Sequence, residues 1–313
     1  MLCVSETADA ILIQWAVLIN VECTKARSTF GSIGIGSVFI TGQARNKQLS
    51  NAMSFRVENV SFAYGEQEVL QGLSVRLAPG RFYSVLGPNG CGKSTFLDLL
   101  IGHLRPDTGR ILYRDQELSS YTRKALAREM ALVAQNYFIN FPFRVDEIMM
   151  MGRYPHIPRF SSPSEQDAAL VEQTMEQAGI TEFKDRLITE LSGGERQRVV
   201  FARALAQDAA VLLLDEATSS LDIRHSLEML GLAAKKVRQE KRTVISVFQD
   251  INLAAAWGDH CIVMDRGRIA ACGPTEEVLT EALIREVFQV ENRVRYDDFT
   301  QSKQVAFGCG LGP

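Results

Sequence analysis

The chain has 313 residues, 46% hydrophobic and 23% charged, which suits a soluble globular protein of one large domain or two with a sizeable core. Its formal net charge of −3 and isoelectric point near 5.9 give no basic footprint, so nucleic acid is discounted as a partner. The six cysteines (Cys3, Cys23, Cys91, Cys261, Cys272, Cys309) show no pair at metal-ligand spacing, which argues for a reducing cytoplasm over a disulfide framework; the four histidines (His103, His156, His225, His260) are scattered and read as surface or packing residues.

Residues 1–52 are rich in Ser, Gly and Ile without a sustained period, and Met53 looks like a second beginning. An upstream extension from a misassigned start is expected, with a membrane-surface or partner segment as the alternative. The apolar stretch Ile11 to Val21 is too short to span a bilayer and follows no basic region. From Ser54 the pattern turns strand-like: Phe55 to Val60 alternates, and Leu73 to Leu77 alternates again before a Pro79-Gly80 turn. Tyr64 lies between them and is a candidate for stacking on an adenine ring through its π face; burial in the core is the competing reading.

The apolar run Phe82 to Leu86 reads as a buried strand leading into Gly87-Pro88-Asn89-Gly90-Cys91-Gly92-Lys93-Ser94-Thr95, a phosphate-loop pattern. Its glycines let backbone N–H groups face phosphate oxygens, Lys93 adds a point charge for the β- and γ-phosphates, and Ser94 offers a hydroxyl to Mg²⁺. The run Ser94 to Ile101 reads as a helix whose positive end faces the same phosphates. Gly109 to Tyr113 and Met130 to Val133 are expected strands, the second followed by Gln135. Val145 to Met151 and Ser164 to Ala178 are expected helices, the latter opening on a capping-box-like Ser164-Glu165-Gln166-Asp167. The loop Gly152 to Phe160 between them, with its prolines, aromatics and arginines, is a candidate partner surface.

Leu191-Ser192-Gly193-Gly194-Glu195-Arg196-Gln197 opens a helix through Ala206, a second anion-seeking helix terminus that one site in one protomer does not need. Val211 to Leu214 reads as a strand buried on both faces and ending in Asp215-Glu216. Asp215 suits Mg²⁺ through water, and Glu216 suits deprotonation of an attacking water; a cap or solvated turn is the competing reading. Ser220-Leu221-Asp222 precedes a helix from Ile223 to Glu240, then a strand Thr243 to Phe248 ending at Gln249-Asp250. A hairpin about Arg266-Gly267 and short helices from Thr275 to Val290 follow.

With these residues named, residues 53–300 resemble the nucleotide-binding subunit of ABC transporters, and the seven residues Leu191 to Gln197 match that family's signature sequence in full. The resemblance implies an α/β fold: a mainly parallel phosphate-loop core sheet, an antiparallel β subdomain, and a helical subdomain near residues 140–190, followed by a tail at 301–313. It assigns ATP and Mg²⁺ as cofactors, Tyr64 to adenine, Gln135 to a loop sensing Mg²⁺ and the membrane partner, and Ser220-Leu221-Asp222 to a dimer-contacting loop. Two protomers would pack head to tail, with Ser192, Gly193 and Gly194 of one over the γ-phosphate of the other. Lys93, Glu216 and Gln249 are the expected catalytic residues. The family usually has a histidine where this chain has Gln249, which cannot be protonated near neutral pH but can donate an amide N–H to a phosphate oxygen; a hydrolysis-impaired regulatory subunit is therefore the alternative.

Val145-Asp146-Glu147-Ile148 followed by Gly152-Arg153-Tyr154-Pro155-His156 looks like the importers of ferric siderophores, haem and cobalamin. DNA-repair and translation-associated members of the family carry a long coiled-coil insertion or two nucleotide-binding copies, neither of which is seen here. The resemblance implies integral-membrane permease subunits, a second ATP-binding subunit and, indirectly, a substrate-binding protein as partners, at the cytoplasmic face of the inner membrane. Tyr137 to Arg159 is the expected docking surface. Cys91, beside Lys93 at a helix N-terminus, is expected to be a reactive thiolate shielded by MgATP.

Overall fold

The computed structural model describes residues 54–135, 139, 141–219 and 221–308. The expectations for residues 1–52, Tyr137, Ser220, Cys309 and the last residues lie outside these. Strands β1 (Phe55–Tyr64) and β2 (Gln67–Leu77) form an antiparallel ribbon, longer than the alternation alone suggested, because register shifts around Val60 and Phe62 interrupt the period without ending the pairing. β4 (Thr108–Tyr113) and β5 (Gln116–Glu117) complete a sheet of order β2-β1-β4-β5.

The second sheet carries β3 (Phe82–Leu86), β6 (Met130–Val133), β7 (Val211–Asp215), β8 (Thr243–Val247), β9 (His260–Asp265) and β10 (Arg268–Pro274) in the order β10-β9-β3-β8-β7-β6. All pairs are parallel except that of β10 with β9. β3, β7 and β8 are buried along their whole length, as continuous apolar runs require when both faces are covered. The pleat sorts the side chains of these strands and of β9. Tyr83, Val85, Leu213, Val247 and Met264 face the antiparallel sheet and the Lys93–Leu100 helix, whereas Phe82, Leu86, Leu214, Val244 and Val263 face the helices Gly193–Ala206 and Ile223–Glu240.

A third cluster joins the Val145–Met151 and Glu165–Gln177 helices through Val145, Ile148, Met149, Val171 and Met175. The Gly193–Ala206 helix belongs to both bodies. Its Val199, Ala202 and Ala206 stripe packs into the helical cluster, and its Val200, Phe201, Ala204 and Leu205 stripe packs on the sheet. The 3.6-residue period puts these sets on different faces.

The tail boundary at residue 300 is corrected by the structure. β11 (Asn292–Asp297) and β12 (Ser302–Phe307) form a two-stranded antiparallel sheet in continuous register, so the boundary cuts a hairpin. Val305 is buried against the core, its N–H donates to Asn252 Oδ1 at 2.7 Å, and Asn252 Nδ2 donates to its carbonyl at 3.3 Å. The Lys303 ammonium donates to the carbonyls of Glu276 and Leu279. Among the described residues no helix is long and apolar enough to cross a membrane.

Candidate functional site

The site grows from the carboxyl ends of the parallel strands, the place where open α/β sheets hold ligands. β3 runs into Gly87, whose φ is 153° and where a Cβ would lie 2.2 Å from the Met264 carbonyl oxygen. Gly92, at φ 100°, opens the next helix, and a Cβ there would lie 2.5 Å from Leu70 Cδ2. Both conformation and space therefore demand glycine at these two positions. Pro88, Asn89 and Gly90 form the outward rim; Lys93 and Thr95 are buried beneath it, and Ser94 is exposed. The Lys93 ammonium donates to the carbonyls of Gly87 at 2.8 Å and Pro88 at 3.0 Å, which aims its charge across the mouth of the loop.

Asp215, the last residue of β7, is buried, and its Oδ1 has no hydrogen-bond partner among the described residues. Burial pushes its carboxyl above the usual carboxylate range; a hydrogen bond from Ser94 opposes this, and the neighbouring Glu216 adds to it. Glu216 itself sits at φ 49°, a left-handed turn that swings its side chain off the strand. Its Oε2 accepts from Gln135 Nε2 at 2.5 Å and from Gln249 Nε2 at 2.6 Å. The sheet order explains this convergence. β7 lies between β6 and β8, so the residues just past the three strand ends, Gln135, Glu216 and Gln249, share one edge.

Tyr64 ends β1 with 52% of its surface exposed and its ring edge-to-face with Phe62 at 4.9 Å, leaving an aromatic face open as the stacking reading needs. Ser192, Gly193 and Gly194 stand at the start of a separate helix. Ser192 and Glu195 form a reciprocal capping box, with Ser192 N–H to Glu195 Oε2 at 2.7 Å and Glu195 N–H to Ser192 Oγ at 3.3 Å, and hydrogen bonding from Ser192, its N–H first, holds the Glu195 carboxyl below its usual range. Among the described residues the glycines leave that turn bare: nothing lies within 4 Å of a Cβ at Gly193, and only Leu221 Cδ2 at 3.5 Å faces Gly194. Asp222 caps the Ile223–Glu240 helix through the His225 N–H at 2.8 Å, and this bond lowers its carboxyl.

Two residues enter here that the motif reading did not single out. Gln197, buried in the signature helix, donates to the Ala217 carbonyl at 2.9 Å and ties that helix to the turn carrying Glu216. Arg198 Nη1 donates to His225 Nε2 at 3.1 Å, and His225 Nδ1 donates to Asp222 at 2.9 Å, an order set by the guanidinium having no acceptor. Neither contact is visible in residue spacing.

The expectation for Cys91 is overturned. Its side chain packs into the core cluster with Met264 and Leu97, and burial pushes the thiol above its ordinary range, outweighing the pull of Lys93. A phosphate loop with a buried lysine, a strand-end carboxylate beside its serine and a second, pinned carboxylate define a phosphate-loop nucleoside triphosphatase.

The comparisons with known proteins place it more closely. The ABC transporter family profile matches residues 70–219. The chain is 40% identical over 249 residues to the hemin import ATP-binding protein HmuV of Rhodopseudomonas palustris (strain BisA53), covering 77% of this chain and 90% of that one. It is 36% identical over 233 residues to the ferric enterobactin transport ATP-binding protein FepC of Escherichia coli (strain K12), covering 74% and 86%. A chain of a metal-chelate type ABC transporter in an inward-facing conformation superposes with a TM-score of 0.70 at 30% identity, covering 82% of this chain and 97% of that chain. The chain belongs to the ABC transporter family, as one of its ATP-binding ATPases.

Proposed function

We propose that this ATPase drives import of a metal chelate of the ferric-siderophore, haem or cobalamin kind, working as a pair of copies beneath integral-membrane permease subunits, with a substrate-binding protein delivering the chelate. The carrying observation is the Glu216 carboxylate, held on one oxygen by both Gln135 and Gln249 beside the phosphate loop. The cargo class is supported by relatives that are named for import of hemin and for transport of ferric enterobactin.

In this reading the loop amides and Lys93 hold the β- and γ-phosphates, and Tyr64 stacks on adenine. Ser94 and Asp215 are the residues to hold Mg²⁺, with Gln135 at the rim. The buried, unpartnered Asp215 Oδ1 fits a cation, because it is an acceptor whose charge burial disfavours until a positive partner arrives. Bound there, Mg²⁺ supplies charge that neutralises phosphate oxygens. Glu216 takes the proton of a water as its oxygen attacks the γ-phosphorus and the bond to ADP breaks. Each glutamine amide carries two N–H groups, so Gln249 can hold Glu216 with one and offer the other to a γ-phosphate oxygen.

Placing the bare Ser192-Gly193-Gly194 turn over the partner's nucleotide gives the second anion-seeking helix end a task, and Asp222 then lies at the contact between copies. The permease-facing surface is the loop from Gly152 to Phe160, where Tyr154 and Phe160 are exposed and the Arg159 guanidinium lies 4.9 Å from the Phe160 ring.

The test is phosphate release by the chain reconstituted with its permease, wild type against Glu216→Gln. Loss of a general base costs about a hundredfold or more, so the wild-type rate is expected to exceed the variant's by at least about that factor. Equal rates at every pH from about 5.5 to 8.5 would leave a nucleotide-gated regulatory subunit instead. Transport of hemin, a ferric siderophore and cobalamin, each presented on its binding protein, then selects the cargo.

A further inference from the structure

The motif Gly152-Arg153-Tyr154-Pro155-His156 has no part in the ATP site, yet most of its polar groups are used. Gly152 is in ordinary helical conformation, but a Cβ there would lie 2.5 Å from the Arg203 carbonyl oxygen, so the loop presses on the backbone of the signature helix. Arg153, nearly buried, forks: Nε donates to Asp167 at 2.9 Å and Nη1 to the Ala206 carbonyl at 2.8 Å. His156 Nε2 lies 2.8 Å from the Gln207 carbonyl, which can only accept, so that nitrogen carries the hydrogen. A further set of bonds ties the loop and this cap to the Arg123–Glu129 helix and its C-cap Met130. Gln207 Nε2 donates to the carbonyls of Ala127 and Met130, Arg128 Nε to that of Pro155 at 2.7 Å, and Lys124 Nζ to that of Ile157 at 2.9 Å.

Ala206 and Gln207 are the last residue and the cap of the signature helix, so the motif supplies two side-chain donors, one of them a cation, to carbonyls that the helix leaves unpaired. The helix has 14 residues and is therefore about 21 Å long. Its far end is the bare Ser192-Gly193-Gly194 turn. The helix is packed along its length, and the loop that exposes Tyr154 and Phe160 adds side-chain bonds at its C-terminal end, so how that end is held bears on the set of the whole helix, including its far turn.

We propose that Arg153 and His156 are positioning residues that clamp the C-terminal end of the signature helix and so set the aim of its N-terminal turn at the nucleotide of the partner copy; this rests on the paired-copy reading above. The clamp makes the loop and the signature turn ends of one lever. A force on Tyr154 or Phe160 reaches the signature turn without passing through the phosphate loop.

The experiment is ATP-driven dimerisation of the full chain in a Glu216→Gln background, followed by light scattering, with binding of a fluorescent ATP analogue to the monomer measured alongside. His156→Leu removes the donor, Arg153→Lys removes the fork, and His156→Gln keeps an N–H for the Gln207 carbonyl. Leaving one such carbonyl unpaired corresponds to about a tenfold change in an equilibrium constant. We expect His156→Leu and Arg153→Lys to weaken the dimer by about that factor, His156→Gln to stay within about twofold of the parent, and monomer nucleotide binding to be unchanged in all three. Dimerisation of His156→Leu equal to the parent overturns the clamp. So does a His156→Gln dimer as weak as that of His156→Leu, or a loss that follows nucleotide affinity. Should His156→Leu not fold, Arg153→Lys and His156→Gln carry the comparison alone. A parent that stays monomeric with ATP removes the paired-copy reading and the clamp with it, a different signature from variants that dimerise like a dimerising parent.

Discussion

Gln249→Leu is the most direct perturbation of the proposed catalytic edge, because leucine keeps much of the side-chain volume and deletes both amide hydrogens. Gln249 and Gln135 reach the same oxygen of Glu216 at 2.6 and 2.5 Å, so losing one donor leaves the carboxylate tethered by the other. A hydrogen bond to a charged acceptor contributes about 1.5–3 kcal/mol when dry; both glutamines are exposed, and water substitution brings the net to about 1 kcal/mol each. Each single leucine variant should therefore lower kcat about five- to tenfold; Gln249→Leu should also raise the KM for ATP, because it removes the N–H offered to a γ-phosphate oxygen as well as the one on Glu216. The double variant frees the carboxylate entirely. It should lose more than the product of the singles, with a coupling of about 0.5 kcal/mol or more in a double-mutant cycle. Steady-state phosphate release supplies the rates, and thermal melts confirm folding. Strictly multiplicative effects would show that the shared oxygen does not orient Glu216, and the reasoning from this geometry would fail.

Three further outcomes follow from the same structure. Cys91, buried with its thiol pushed up, should resist maleimide near neutral pH with or without ATP, and mass spectrometry finding rapid labelling of the folded chain would contradict its packing. The Asp215 carboxyl is raised when folded, so the folded chain keeps that proton to higher pH than the unfolded one; nucleotide-free stability from this group falls as pH rises from about 3.9 through the raised value. Asp215→Asn should accordingly raise nucleotide-free stability at neutral pH by on the order of 1 kcal/mol, read as a higher melting temperature, while abolishing any stabilisation by Mg²⁺; a lower melting temperature would contradict the sign. Asn252→Ala leaves the buried Val305 backbone without partners and should cost about 1–3 kcal/mol in denaturant titration, a loss under about 0.5 kcal/mol counting against the docking.

Much of this fold was legible because its signals are local. The helices Val145–Met151, Gly193–Ala206 and Ile223–Glu240 begin and end where the residues said, since Ser192 with Glu195 and Asp222 cap their own chains within three residues. β7 announced itself by an apolar run that only a doubly covered strand sustains. What escaped depends on partners far along the chain. Gln135 and Gln249 lie 81 and 33 residues from Glu216, and only the order of β6, β7 and β8 brings them to one oxygen. The immediate neighbours of Cys91, a helix N-terminus and Lys93, favour thiolate, but burial in the core cluster that also holds Met264 pushes the thiol up. β12 reads Ser-Lys-Gln-Val-Ala-Phe, in which the buried Ser302 and Val305 make no alternating pattern, so a strand held by Asn252 and Lys303 looked like a tail.

That strand also imposes an order on synthesis. Asn252 lies in the first turn of the helix Ile251–Trp257, three residues past Gln249, and it takes as its partner a residue made 53 positions later. A ribosome therefore finishes the phosphate loop, the strand-end carboxylates and the signature helix well before it delivers β12, the strand that braces the flank of Gln249. In that interval the helix that follows Gln249 already exists but lacks the Val305 backbone that Asn252 takes as its partner, so on the proposed reading the phosphate loop is complete before this flank of the edge is docked.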